Sequence, residues 1–315
     1  MIFGRIAIAL AALGLITASS HAQFIRHEVL PVETENLSVA DVLSGTKGTK
    51  QMLAGLLRVA KAGPKQPVVI LMHGAGGLGL ARSPVDEWSR VLNEAGYSTF
   101  AVDGFAGRGI NTPADLQRLP TLTRIRDVFA AREVLAKHPL IDPDKIAVMG
   151  FSHGGPAALF SNLERFQKQH GSAKFAAHIS MYGVCGTRIH DEEGAVSPVL
   201  ILHGTAEDWV PFEPCQEYAA RLTKAGKNAR FIPYEGAYHV FDSPGFGKVR
   251  NMPDATTTAL CRHEEVEGGL VNVATKKPFV PTDACVKKGV TAGLDEAAML
   301  KAHGDVKAFL GEVFK

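Results

Sequence analysis

The chain has 315 residues, with Lys+Arg 34 against Asp+Glu 32 and a formal net charge of +2. Hydrophobic residues make up 46% and charged residues 21%, a soluble globular balance that excludes a disordered tail, a collagen or a low-complexity array. Near-neutral charge gives no electrostatic footprint for a nucleic acid, and the length allows one large α/β domain or two small ones with a core that needs no metal.

The chain opens with Met1-Ile2-Phe3-Gly4-Arg5, an apolar run from Ile6 to Ala18, and the small-x-small site Ser20-His21-Ala22. This pattern predicts a secretory signal over residues 1–22. The run is shorter than the roughly 20 apolar residues a membrane span needs. Residues 23–315 are therefore expected to be exported, secreted or periplasmic, with no membrane span after cleavage. In an oxidising compartment Cys185, Cys215, Cys261 and Cys285 are disulfide candidates, with three pairings open. None has the spacing of a zinc site.

After an irregular lead, Leu56–Ala60 reads as a strand, and the β-branched run Pro67–Met72 reads as a buried parallel strand. Ser83 and Pro84 are an N-cap and a first-turn proline, and Gly96 stops that helix. Tyr97–Val102 is the next strand. Apolar spacing through Ile125, Val128, Phe129 and Leu135 predicts a helix over Thr121–Ala136. Lys145–Gly150 is a strand, with a helix from about Pro156. His178–Tyr182, Val199–Leu202 and Arg230–Tyr234 are further strands, Cys215–Ala225 is a helix, and a last helix runs over Asp295–Phe314. Strands alternating with helices predict a mostly parallel sheet with helices on both faces. No linker divides 23–315, so one domain is expected. The block 244–293, rich in Gly, Thr and Lys, reads as irregular, of the kind that serves as a functional loop or lid.

Gly150-Phe151-Ser152-His153-Gly154 is a G-x-S-x-G between a strand and a helix. A serine there stands on a strained turn whose small neighbours leave its hydroxyl free. It needs a base, and His239 follows the last strand of the series. It also needs a carboxylate to orient that histidine. Glu207 and Asp208 both follow the preceding strand, and residue type and spacing leave the choice between them open. His73-Gly74-Ala75-Gly76-Gly77 is placed to supply an oxyanion donor from Ala75 or Gly76, with the N–H of His153 as the second. Phe105, Arg108, Trp209 and Tyr238 are pocket candidates by position. One rival reading uses the same loop: Gly74-x-Gly76-x-x-Gly79, with Asp103 downstream, is a formal dinucleotide fingerprint. The helix start at Ser83-Pro84 rather than at the glycines counts against it.

These segments, with Gly107-Arg108-Gly109, Asp142-Pro143-Asp144-Lys145-Ile146, Asp208-Trp209-Val210-Pro211 and Gly236-Ala237-Tyr238-His239, make the chain resemble the dienelactone hydrolase family of α/β-hydrolases over about Leu56–Phe314. The resemblance implies an α/β-hydrolase fold, no metal or organic cofactor, and a small ester or lactone substrate. The family's namesake enzymes use a cysteine nucleophile where this chain has Ser152, so a serine esterase cycle is implied and lactone specificity does not carry over. The family fold sets the strands ending near Tyr182 and Leu202 side by side, which implies Cys185–Cys215 and then Cys261–Cys285. The alternatives are a peptidase or a polyester or feruloyl esterase on the same fold, a non-catalytic binding module, and a dinucleotide-dependent oxidoreductase.

Overall fold

A computed structural model describes residues 26–61, 63–78, 83–111, 113–171 and 174–315. The signal expected over 1–22 lies outside the described residues, as does Gly79 of the rival fingerprint. The central sheet has eight strands in the order β1-β2-β4-β3-β5-β6-β8-β9. They are β1 (Arg26–Asn36), β2 (Thr49–Val59), β3 (Gln66–Met72), β4 (Ser98–Asp103), β5 (Ile141–Phe151), β6 (Ala177–Met181), β8 (Val199–Gly204) and β9 (Ala229–Tyr234), while β7 (Thr187–Arg188) lies in a separate sheet. β2 runs antiparallel to β1 and β4, and the pairs from β4 through β9 are parallel.

Alternate residues of one strand serve two cores, because side chains on a strand point to opposite faces. Val68, Ile70 and Met72 pack with α3 (Arg124–Ala136), α4 (Gly155–Phe160) and α6 (Glu213–Lys224), whereas Val69 and Leu71 pack with α2 (Pro84–Glu94) and α7 (Glu296–Val313). Helices thus cover both faces, and the architecture is that of an α/β-hydrolase. On α2, Val85, Trp88 and Leu92 are buried against the sheet, each contributing about 2 kcal/mol of transfer free energy. Ser83 Oγ accepts the Val85 N–H, and Gly96 takes φ +85° just past the helix end, a conformation that favours glycine.

Several expectations need correction. The lead is not irregular: β1 pairs with the whole of β2, which is itself longer than Leu56–Ala60. β1 is an edge strand and tolerates Pro31, whose missing N–H costs least at an edge. The helix after Ser152 is two short pieces, α4 and α5 (Glu164–Gln169). The break falls where the Asn162 amide binds the Ser197 backbone N–H and carbonyl, both at 2.9 Å. The helix expected from Thr121 starts at Arg124, after a 3₁₀ turn over Thr121–Thr123.

The block 244–293 is not structureless. β10 (Arg250–Thr257) pairs antiparallel with β13 (Lys287–Ala292), and the hairpin β11 (His263–Val266)–β12 (Gly269–Asn272) lies against β7. These strands are largely solvated and carry no run of buried residues, so their pairing has little hydrophobic alternation to announce it. Disulfides join Cys185 to Cys215 and Cys261 to Cys285. Among the described residues no helix is long and apolar enough to cross a membrane.

Candidate active site

The site forms at the carboxyl ends of β3, β5, β8 and β9. The chain leaves β3 to one side for β4 and returns to the other for β5, so β3 and β5 end together, with Met72 beside Gly150. Ligand sites of open α/β sheets lie at such a reversal. The turn after β5 sets Ser152 at φ +49°, a strained value for a non-glycine residue, costing about 1–3 kcal/mol. Its glycines are steric requirements: a Cβ at Gly150 would stand 2.2 Å from the Gly154 carbonyl oxygen, and one at Gly154 2.2 Å from that of Met72.

Ser152 Oγ lies 3.0 Å from His239 Nε2, and His239 Nδ1 lies 2.7 Å from Glu207 Oε2. The other Glu207 oxygen accepts the backbone N–H groups of Trp209 and Val210 at 2.8 and 3.0 Å. Burial pushes the Glu207 carboxyl up, but the neighbouring His239 overcomes it by charge and hydrogen bond, and the carboxyl sits below its usual range. Asp208, the competing acid, points elsewhere: its Oδ1 accepts the Thr291 N–H at 2.7 Å. The arrangement can pass a proton from a serine hydroxyl to an imidazole whose far side is held by a carboxylate.

Ala75 and Gly76 line the cleft beside Ser152. The turn is closed by the Gly77 N–H donating to the Gly74 carbonyl at 3.2 Å, and a Cβ on Gly74 would stand 3.3 Å from Ser152 Cβ. The glycine loop is therefore seated against the serine, while α2 begins only at Pro84. His153 follows Ser152 in the turn that leads into α4. Its imidazole is driven down to about 3 by burial and by the cation of Arg124.

Residues that sequence reasoning missed hold these parts together. Arg124 is fully buried. It donates to the His73 carbonyl at 2.7 Å and meets His153 Nδ1 at 3.4 Å, tying the glycine loop to the serine turn. Its Nε and second terminal nitrogen have no hydrogen-bond partner among the described residues, and burial lowers the guanidinium to about 10. On the other side, Tyr182 at φ +38° sets its ring 4.8 Å from that of His239. The Tyr182 hydroxyl and the Trp88 indole N–H each donate to the buried Asp242 carboxylate at 2.6 Å. Burial raises Asp242 to about 6. Local sequence held one hint: Asp242 lies three residues past His239.

Of the residues singled out for the pocket, Trp209 lines the cleft and its ring stands 5.1 Å from His239. The others need correction. Phe105 packs edge-on against His73. Arg108 forms a buried pair with Asp127 at 2.8 Å. Neither these two nor Tyr238 is among the lining residues.

The dienelactone hydrolase family profile matches residues 53–263. A Bradyrhizobium protein named "Probable 2-oxo-3-(5-oxofuran-2-ylidene)propanoate lactonase" is 23% identical over 231 residues, 66% of this chain and 86% of its own. A dienelactone hydrolase-like promiscuous phosphotriesterase from metagenomic libraries superposes with a TM-score of 0.59 at 17% identity, covering 91% of this chain and 98% of its own. Esterase 2 of Thermogutta terrifontis superposes with a TM-score of 0.51 at 20% identity, over 70% of this chain and 86% of its own. With the profile spanning most of the central sheet, the serine turn and the histidine loop, the chain belongs to the dienelactone hydrolase family.

Proposed function

We propose that this chain is an exported, single-domain serine hydrolase that cleaves a carboxylic ester or lactone through an acyl-enzyme. The observation that carries this reading is the Ser152–His239–Glu207 hydrogen-bond chain, at 3.0 and 2.7 Å. His239 Nε2 takes the Ser152 proton as Oγ attacks the carbonyl carbon, and Glu207 stabilises the resulting imidazolium. The tetrahedral oxyanion is held by the N–H of His153 and by one from Ala75 or Gly76. The C–O bond to the leaving alcohol breaks as His239 returns the proton to it. Water, deprotonated by His239, then attacks the acyl-enzyme, and the carboxylic acid leaves with Ser152 restored. Every step uses side chains and backbone of this chain.

Fluorophosphonate labelling and turnover of p-nitrophenyl acetate test the reading. Wild type is expected to label and turn over, and Ser152→Ala to do neither. Equal labelling of the two proteins refutes it, and turnover by the wild type excludes a binding module. The two disulfides support export, which N-terminal sequencing of the exported protein checks by its start at Gln23. The seating of the glycine loop against Ser152 speaks against the dinucleotide alternative, and titration with NAD is expected to give no heat of binding.

A further inference from the structure

The 244–293 block is more than a cover. It supplies one long wall of the cleft that contains Ser152 and His239, a cleft of about 1510 Å³, larger than the roughly 300–1,000 Å³ of an ordinary small-molecule site. Phe246, Met252, Phe279, Pro281 and Val286 bring apolar surface to that wall. Phe279 remains 38% exposed, an apolar surface with room for a ligand to cover it.

The wall is tied to the reacting groups. The Thr291 N–H donates to Asp208, the Trp209 indole N–H to the Thr256 carbonyl at 3.1 Å, and the Gly293 N–H to the His239 carbonyl at 3.0 Å. The ribbon β10–β13 is thus hydrogen-bonded to both the acid loop and the histidine loop. Cys261–Cys285 closes its far end, a few residues beyond Thr257 and just before Lys287.

Its charges cancel. Lys287 and Lys288 line the cleft with Asp254 and Asp283. Behind the glycine loop, Arg108 pairs with Asp127, and Arg124, fully buried and outside the lining, donates to the His73 carbonyl. Nothing in the lining concentrates one sign of charge for an ionic group.

We infer that the β10–β13 ribbon with the Phe279–Val286 segment is the specificity wall of the enzyme, and that its substrates are neutral esters carrying an extended apolar group. The inference rests on the serine hydrolase reading above and names the substrate class of that same site. Each methylene that leaves water for the wall gains about fourfold in binding, the fold-change equivalent of about 0.8 kcal/mol.

The test is a p-nitrophenyl ester series from acetate to octanoate on the full mature chain. The catalytic efficiency kcat/KM is expected to rise at least tenfold along the series, mainly through KM. Phe279→Ser and Met252→Ser are each expected to cut the octanoate-to-acetate ratio at least fivefold. Leu300→Ser, on the exposed face of α7, serves as the surface control and keeps the wild-type ratio. The mono-p-nitrophenyl ester of octanedioic acid, matched in length but anionic, is expected to react at least tenfold more slowly than the octanoate.

A flat or falling series, or an unchanged ratio in both wall variants, overturns the wall. An anionic ester as fast as the octanoate overturns neutrality. Failure of the underlying reading looks different: no ester is turned over and Ser152 takes no label, and the inference then falls with it.

Discussion

Glu207→Gln changes almost no volume, yet it is expected to cost nearly all of the catalysis, because of how the carboxylate is held. One oxygen accepts the Trp209 and Val210 N–H groups, and the other faces His239 Nδ1 at 2.7 Å. A glutamine keeps the two backbone hydrogen bonds only by turning its carbonyl oxygen toward them, which points its NH₂ at Nδ1. His239 then pairs best as the tautomer with its proton on Nε2, facing the Ser152 hydroxyl, where it cannot accept a proton. The charge that stabilises the imidazolium is lost as well. Both side chains are at least 95% buried, so water does not compensate. In serine-histidine-aspartate enzymes the equivalent loss is worth about 10⁴ in kcat. Here we expect a kcat on p-nitrophenyl butyrate about 10³–10⁴ lower, about 4–5.5 kcal/mol, with KM changed less than threefold and an unaltered circular dichroism spectrum. Asp208→Asn, whose side-chain oxygen can still accept the Thr291 N–H, is expected to stay within tenfold of wild type. A Glu207→Gln enzyme retaining a tenth of its activity, or an Asp208→Asn collapse, refutes the assignment.

Four further outcomes are expected. Burial drives fully buried His178 down to about 3. The unfolded chain therefore binds a proton near pH 6.5 that the native state refuses, and stability present above that pH is lost as pH falls. The share is about 2 kcal/mol at pH 5, so chemical denaturation at pH 7 and pH 5 should show a smaller drop for His178→Gln, and equal drops refute it. Replacing Cys261 and Cys285 together by serine opens a loop of sequence separation 24 and should cost about 3 kcal/mol in urea unfolding; no change in midpoint would count against the clamp. Tyr182→Phe keeps the ring beside His239 but takes one donor from buried Asp242, a loss of about 1–3 kcal/mol. Thermal unfolding should detect that loss, and kcat should fall about tenfold with little change in KM. Gly74→Ala brings a methyl to 3.3 Å from Ser152 Cβ and from the Phe151 carbonyl oxygen. It should fold and lose about tenfold in kcat, and wild-type kcat would show that the loop has room to give.

The serine turn, the glycine loop and the histidine loop were legible in the chain because each obeys a local rule. Gly150 and Gly154 are demanded within their own turn, where a Cβ would strike a carbonyl oxygen. β3, β6, β8 and the second half of β5 are short runs buried on both faces, which reads directly as a covered parallel sheet. β1 is not legible in the chain because most of its residues are exposed and Pro31 stands within it, so only its partner β2 identifies it as a strand.

The choice between Glu207 and Asp208 is another matter. Both are carboxylates at adjacent positions in one loop, and what separates them is an amide more than eighty residues later: Thr291, on β13, occupies Asp208 and leaves Glu207 facing His239. Arg124, Asp242 and the 244–293 wall likewise act through contacts across long stretches of chain, where residue type carries little signal. The sequence by itself determined the parallel part of the sheet, the serine turn and the position of the histidine, because those depend on local sterics and on burial pattern. Only the tertiary structure decided which acid meets the histidine and what lines the cleft, because long-range strand pairing aims those side chains.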